Sequence, residues 1–452
     1  MEIKGKKILI LGYAREGKSV HRYLHKHYPQ TTIGIADKNK IRPEVGGHIK
    51  LYTGDNYLES LQKYDLIIRS PGIPLQISEI QRAKTAGKKI TSATNIFFSR
   101  CPGKIIGITG SLGKSTTTSL IAAILSKKYK DVRLAGNIGF PMIDHLNKAT
   151  QKTIFVLELS SFQLEDLNYS PHIAVLLNIV PEHLDRHKTF ANYVQAKANI
   201  IKYQARKDFV IFNPEHKILA KIAKKAAAQK VNFSLKPNKN STCFFHQDKI
   251  FIRKKNKTSI LIDRDKISLL GKGNTENIMA AVSVGLILNI PLPKIKKALL
   301  KFKPPEHRIE YLGTHQGIKF YDDSISTVPE SAIHALDALG NEVETLIAGG
   351  FDRGLDFSKL ARHLNKTKVK NLILFPITGK KIWQSIVKHT PVKKRPKKFA
   401  VSSMQEAVKT AFAVTGKGKI CLLSPASASF GLFKDYRERG NLFKKFVLTQ
   451  KK

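Results

Sequence analysis

The sequence predicts an α/β protein of three successive domains. Three observations predict it: short apolar strands alternate with helical stretches over the first hundred residues; two near-continuous apolar runs follow a glycine- and hydroxyl-rich loop; and the alternation resumes from about residue 305. KKILILG (6–12) reads as a strand, Glu16–His27 as a helix, TTIGIAD (31–37) as a second strand ending on an acid, and DLIIRSPG (65–72) as a third ending in a Pro-Gly turn. This βαβ pattern predicts a Rossmann-like parallel sheet in a first domain, 1–100. CPG (101–103) is a natural break. A central domain, 101–304, then holds the strand KIIGITG and a helix from Lys114 to about Tyr129. TIFVLELS (153–160) and AVLLNIV (174–180) read as buried parallel strands, and 274–289 as a helix. The KPPEHR segment (303–308) marks the second break. The last domain, 305–452, is again Rossmann-like, with KFYDDS, a helix at 329–339, ETLIAGG, NLILFPIT, KFAVSS and KICLLSP in turn. The polar segment 232–262 looks hairpin-like and shows no chemistry.

Composition narrows the class. Hydrophobic residues make up 42% and charged residues 25%, the balance of a soluble globular chain, and no apolar run approaches the ~20 residues of a membrane span. The apolar run near the start is too short for a signal peptide, so a cytoplasmic protein is expected. Cys101, Cys243 and Cys421 are odd in number, far apart and outside any CxxC pair, which argues against a disulfide framework or structural zinc. The net charge of +44 raises nucleic-acid binding, but the cations are spread over the whole chain. No arginine–aromatic alternation or helix-turn-helix pattern accompanies them, so no nucleic-acid partner and no membrane partner is expected.

Two loops compete for a nucleotide. Gly12–Ser19 (GYAREGKS) matches the GxxxxGK[ST] pattern in full, between a strand and a helix. Gly107–Thr118 (GITGSLGKSTTT) does not, because Ile108 stands where the first glycine belongs. Physics nonetheless favours the second as a P-loop for ATP. Gly110 and Gly113 give the turn, Lys114 the charge for the β- and γ-phosphates, and Ser115 or Thr116 a hydroxyl for Mg²⁺. Glu158 supplies the companion carboxylate at the C-terminal end of a buried strand. The first loop has a different companion in Asp37, at the spacing of the acid that binds a nucleotide ribose. It reads as a site for a nucleotide diphosphate or its sugar, or as a tight turn.

At this point the residues resemble a known family. GITGSLGKSTTT, GNIG (136–139), ELSSFQLE (158–165), NIVPEHLDRH (178–187), GNTEN (273–277), HR (307–308), DDS (322–324) and SPASASFGLFKDYRERG (424–440) occur in the order seen in the Mur ligases. These enzymes add amino acids to the UDP-linked peptidoglycan precursor, and the resemblance covers essentially the whole chain. ELSSFQLE and the C-terminal SPASAS…F…RG are most similar to the members that add glutamate to UDP-N-acetylmuramoyl-L-alanine. The resemblance implies that the first domain holds UDP, the second ATP and the third the amino acid. It also implies a reaction in which the γ-phosphate activates the L-alanyl carboxylate as an acyl phosphate, which the amine of glutamate attacks.

The resemblance carries residue roles with it. It assigns Gly110, Ser111, Leu112, Gly113, Lys114, Ser115, Thr116 and Thr117 to ATP, together with Asn274, Asn277, Arg308 and Asp323. Asn274 could equally be a helix N-cap. Two Mg²⁺ ions are implied, with Ser115, Glu158, His183 and Lys197 as ligands, and Lys114, His183 and Lys197 as the catalytic set. His183 followed four residues later by His187 also fits plain helical spacing. Lys197 matches the family's carbamylated lysine; the residues alone would make it an ordinary surface lysine among 78 basic residues. Asn137, Ser160 and Gln163 match the groups that hold the muramoyl-alanine end. Gly12, Tyr13, Ala14, Arg15, Asp37, Ser70, Pro71 and Gly72 are the candidates for UDP. Thr327, Arg353, Ser429 and Tyr436 fall at the glutamate positions.

Departures gather around the amino acid. Ile325 replaces a lysine common in relatives, Arg353 stands where a lysine is common, Tyr436 where a phenylalanine is, and Leu112 replaces a polar residue frequent in the loop. Arg353 still offers a cation with bidentate geometry to a carboxylate. The expectation is a monomeric ligase that takes D-glutamate. Addition of L-glutamate is the alternative within the class, and a basic P-loop NTPase acting on nucleic acid the alternative outside it.

Overall fold

The computed structural model describes residues 3–46, 49–254, 257–269, 271–303 and 306–450. The expected break between 304 and 305 lies outside the described residues. The chain forms two compact units, Met1–Arg264 with Glu276–Leu299, and Asp265–Thr275 with Leu300–Lys452. Among the described residues the strands form three sheets, two in the first unit and one in the second.

The first sheet holds β1 (Ile8–Leu11), β2 (Ile33–Asp37), β3 (Ile49–Thr53), β4 (Leu66–Arg69) and β5 (Lys89–Ser92) in the order β3-β2-β1-β4-β5, all parallel. The order reverses at β1, so the loops after β1 and β4 flank the crevice where such sheets take ligands. β1 and β4 are buried throughout, as continuous apolar runs require, whereas edge strand β3 is largely exposed. Its mixed polarity hid β3 from the sequence.

The second sheet holds β6 (Lys104–Thr109), β7 (Val132–Gly136), β8 (Ile154–Glu158), β9 (Ile173–Leu176), β10 (Phe209–Phe212), β11 (Gln229–Ser234), β12 (Ser241–His246), β13 (Lys249–Lys254) and β14 (Lys257–Asp263). Their order is β14-β13-β12-β11-β10-β9-β6-β8-β7. β6 lies between β8 and β9, all parallel, so the glycine loop after β6 emerges beside the carboxyl end of β8. The segment expected to be hairpin-like is the antiparallel run β12–β14. The helix after the glycine loop spans Lys114–Leu125 and stops short of Tyr129. Lys128 Nζ instead donates to the Leu288 and Asn289 carbonyls, beyond the end of helix Lys272–Ile287.

Both sheets of the first unit share one apolar core. Ile8, Ile10 and Phe97 belong to the same cluster as Phe155 and Leu157, with Phe97 and Phe155 packed edge-on at 5.0 Å. The second unit carries β15 (Glu310–His315), β16 (Ile318–Asp322), β17 (Val343–Gly350), β18 (Asn371–Ile377), β19 (Lys397–Ala400) and β20 (Ile420–Leu423), in the order β15-β16-β20-β17-β18-β19. Only β15 runs antiparallel to its neighbour. No helix among the described residues is long and apolar enough to cross a membrane.

One buried cation departs from the apolar pattern. Arg69, at the end of β4, is 1% exposed, with Nη2 3.1 Å from Asp166 Oδ2 and 4.0 Å from Glu165 Oε2. Burial pushes the Asp166 carboxyl up, and Arg69 opposes the shift. Replacing Arg69 by alanine strands that carboxylate and should destabilise the fold by about 3 kcal/mol at neutral pH, measured by urea unfolding. Asp166 titrates higher folded than unfolded, so its neutral form is the one the fold tolerates. The deficit should therefore shrink as pH falls through the raised folded-state pKa of Asp166 and return as pH rises through it.

Candidate active site

The glycine loop is shaped by what cannot fit. Gly113 has φ +83°, and a Cβ there would lie 2.3 Å from Asn277 Oδ1. Lys114 then opens its helix, aiming the first free N–H groups toward the loop. Ser111 pins the loop from below: its N–H donates to Asn178 O (2.8 Å), and its hydroxyl lies 2.8 Å from Val180 O and 2.9 Å from the Tyr193 hydroxyl. Leu112 and Ser115 are half-buried. Thr116 and Thr117 are fully buried, and their hydroxyls have no hydrogen-bond partner.

Two lysines converge on one carbonyl. Lys114 Nζ donates to Gly110 O at 2.9 Å and to Ser111 O at 2.7 Å, while Lys197 Nζ donates to the same Gly110 O at 2.8 Å. Lys197 is 1% exposed, contrary to the surface position its sequence context suggests. Thr189 caps its helix, Phe190–Ala198, by accepting from Asn192 N, and the i, i+4 spacing puts Tyr193 and Lys197 on one buried face. Burial drives the Lys197 pKa well down, and the Lys114 charge drives it further; Glu182 and Glu158 pull the other way.

Carboxylates and a histidine surround the pair. Glu158 ends β8 and is 2% exposed; Oε1 accepts from Asn137 Nδ2 at 2.9 Å, and Oε2 has no hydrogen-bond partner. An unsatisfied carboxylate oxygen together with an unsatisfied threonine hydroxyl is a hard-oxygen donor set, which fits Mg²⁺. His183 sits in the left-handed region at φ +55°, its ring 4.9 Å from Phe162. His187 is buried, stacks on Phe162, packs edge-on to Tyr193 at 5.3 Å and lies 2.9 Å from Ser161 Oγ. Glu182, which accepts from the Tyr193 hydroxyl at 3.1 Å, belongs to this cluster but is absent from the sequence-derived set. Its only signal was an acid beside the histidine of PEHLDRH. Tyr193 was missed too, though it stands one helical turn before Lys197.

Ser160 and Gln163 form a capping box on helix Ser161–Leu164: Ser160 Oγ accepts from Gln163 N, and Gln163 Oε1 accepts from Ser160 N at 3.0 Å. Gln163 Nε2 also donates to Glu16 Oε1 at 2.8 Å. At the first sheet, Gly17 is packed so closely that a Cβ would lie 2.0 Å from Gly12 O. Asp37 Oδ2 accepts from Tyr13 N at 2.7 Å, and Ser70 Oγ donates to Gly12 O at 2.9 Å, so the β1, β2 and β4 ends close into one rim. Ala14 is the residue before helix Arg15–His27. Arg15 does not point along that rim: it donates to Gly136 O at 3.1 Å and Gly139 O at 2.9 Å. The Pro71 and Gly72 carbonyls accept from Arg186.

In the second unit, Arg308 lies between two left-handed residues, His307 (φ +62°) and Ile309 (φ +47°). Buried Asp323 accepts from Ile309 N at 3.2 Å and Ser424 Oγ at 2.7 Å, and burial pushes its carboxyl up to about 6. Its neighbour Asp322 lies 2.7 Å from His307 Nδ1. Buried Arg439 donates to Ser324 and Ser427, and burial lowers it to about 9. The DDS and C-terminal motifs therefore pack together. Arg353 is exposed and lies over the Phe430 ring at 5.4 Å, next along the chain to buried Ser429. Tyr436 is half-buried with its ring edge-on to His307, and Thr327 is half-buried. Asn274 is buried inside the first turn of helix Lys272–Ile287, so the N-cap reading fails because the helix starts two residues earlier.

Two α/β sheets sharing one apolar core, the second carrying the glycine loop, and a third sheet after them define a class. Three family models match in chain order: the Mur ligase MurD-like N-terminal domain at residues 6–92, the Mur ligase middle domain at 108–285, and the Mur ligase glutamate ligase domain at 307–427. The chain belongs to the Mur ligase family. More particularly, it is 35% identical to the UDP-N-acetylmuramoylalanine–D-glutamate ligase of Lachnoclostridium phytofermentans, over 99% of both chains. It is 37% identical to the enzyme of that name from Caldicellulosiruptor bescii, over 99% of this chain and 98% of the relative. In fold it is similar to the MurF ligase of Thermotoga maritima solved in complex with ADP, with a TM-score of 0.59 and 16% identity over 99% of this chain and 96% of that one.

The loop geometry makes one substitution decisive. Gly113→Ala combines a left-handed backbone with a clash against Asn277, and should lower kcat/KM for ATP by at least ~10-fold. Steady-state kinetics at varied ATP would check this.

Proposed function

We propose that this chain is an ATP-dependent ligase of the cytoplasm that joins D-glutamate to UDP-N-acetylmuramoyl-L-alanine in peptidoglycan biosynthesis, acting as a monomer. The observation that carries the reading is the full-length relation to the D-glutamate ligases, at 35% and 37% identity. The site supports it. Lys114 and the N–H groups at the start of its helix suit a triphosphate, whose γ-phosphoryl group passes to the L-alanyl carboxylate. The amine of glutamate then attacks the acyl phosphate, and phosphate leaves.

Mg²⁺, held by Ser115 or Thr116, Glu158, His183 and a carbamylated Lys197, would supply the screening that lets carboxylate and triphosphate approach. The low pKa of Lys197 supports carbamylation, since a neutral amine adds to CO₂ to give a carbamate and a proton. Asn274, Asn277, Arg308 and Asp323 are proposed for the nucleotide, and Asn137, Ser160 and Gln163 for the muramoyl-alanine end. Thr327, Arg353, Ser429 and Tyr436 are proposed for the glutamate, Arg353 giving its carboxylate a guanidinium in place of the lysine lost at Ile325.

Phosphate release should require ATP and UDP-N-acetylmuramoyl-L-alanine and rise with D-glutamate, not with L-glutamate, lysine or diaminopimelate. Stimulation by DNA or RNA without the UDP substrate would contradict the reading. Lys114→Ala should abolish turnover. Lys197→Ala should abolish it as well, with partial rescue by added short-chain carboxylic acids; full activity without rescue would overturn the carbamate assignment.

A further inference from the structure

The two loops assigned to the UDP end are each tied to the loops that carry the reacting end. Arg15, on the β1 side, donates to the Gly136 and Gly139 carbonyls, and the next residue, Asn137, holds Glu158 Oε1. Arg186, three residues after His183, donates to the Pro71 and Gly72 carbonyls in the loop after β4 and lies over the Phe162 ring at 5.2 Å. Half-buried Glu16, whose Oε2 is buried without a hydrogen-bond partner, accepts through Oε1 from Gln163 Nε2 at 2.8 Å, while the other end of the same amide satisfies Ser160 N. Glu16 is in the first turn of the helix that follows the Gly12 loop, so it shares that loop's rigid frame.

A neutral amide bridging a half-buried carboxylate and a capping box has one arrangement in which both ends are satisfied, which fixes separation as well as contact. We propose that Glu16, flanked by the Arg15 and Arg186 struts, is a positioning residue. It holds the diphosphate-binding rim at a fixed distance from the Asn137–Glu158–Ser160 end, so that binding at one end presents the alanyl carboxylate at the other. Glu16 acts through Gln163 and touches neither nucleotide nor reacting atoms. The cations of Arg15 and Arg186 are committed to backbone carbonyls and serve as struts, not as phosphate ligands.

This rests on the proposed function, so the test begins by confirming turnover of UDP-N-acetylmuramoyl-L-alanine by the unaltered protein; failure there would sink the function and not the strut. With turnover established, Glu16→Ala should lower kcat by about tenfold, because ångström-scale misplacement is costly once the ends are uncoupled. The dissociation constant for UDP alone and the KM for ATP should stay within about twofold. Glu16→Gln keeps an acceptor and should recover most of the rate. In a Gln163→Ala background, which breaks the same bond from the other side, Glu16→Ala should cost less than about twofold more. Weakened binding of UDP alone would make Glu16 part of the nucleotide site and overturn the inference. So would fully additive losses in the double variant, or an unchanged kcat in Glu16→Ala.

Discussion

The interaction on which the catalytic half depends is the convergence of Lys114 and Lys197 on the Gly110 carbonyl. Two ammonium groups sharing one acceptor repel each other, and in a buried setting that repulsion is weakly screened. The cost is relieved by making one of them neutral. Lys114 sits where its charge is useful to a phosphate. In Lys197, sealed beneath the loop with Tyr193 under its amine at 4.7 Å, burial and then the Lys114 charge favour the neutral amine. Around it Glu158 keeps an unsatisfied carboxylate oxygen and Thr116 an unsatisfied hydroxyl, hard donors that suit a divalent cation.

That convergence requires the loop to stay rigid without a ligand to shape it. Ser111 provides the rigidity from the β9 side through the Asn178 and Val180 backbone, and the bare Cα of Gly113 lets Asn277 pack flush against it. The same logic extends to the first sheet. Its ligand rim is anchored by carbonyls that accept from Arg186 and by a carboxylate that accepts from Gln163. Arg69 is buried in the same region with Asp166 and Glu165 as counter-charges. The joint between the two sheets is therefore charged and directional, a design that specifies one geometry at the expense of raw stability.

Much of this was legible in the sequence where one physical cause dominates. β1 and β8 are buried throughout and β6 is buried after its first residue, and hydrophobic burial alone names them. Lys114 and Glu158 were found because a triphosphate site demands a cation after glycines and an acid at a strand end. What escaped had competing explanations. β3 is an edge strand whose mixed polarity and exposure leave no apolar run to read. Lys197 resembled any surface lysine, since its burial comes from a helix face that only packing reveals. Arg15 fell in a glycine loop and so read only as a candidate for UDP, and nothing local foretold that its guanidinium donates to carbonyls more than a hundred positions away. Ser160 and Gln163 were read as substrate groups; their capping box is a local signal that gives both a structural task as well.

The central claim is that this site makes an amide to D-glutamate. The most direct measurement incubates the protein with ATP, UDP-N-acetylmuramoyl-L-alanine and an equimolar mixture of ¹⁵N-labelled D-glutamate and unlabelled L-glutamate, then weighs the nucleotide product by mass spectrometry. The account predicts a single product heavier by one labelled glutamyl unit. An unlabelled glutamyl product, or ADP formed with no amide, would contradict it.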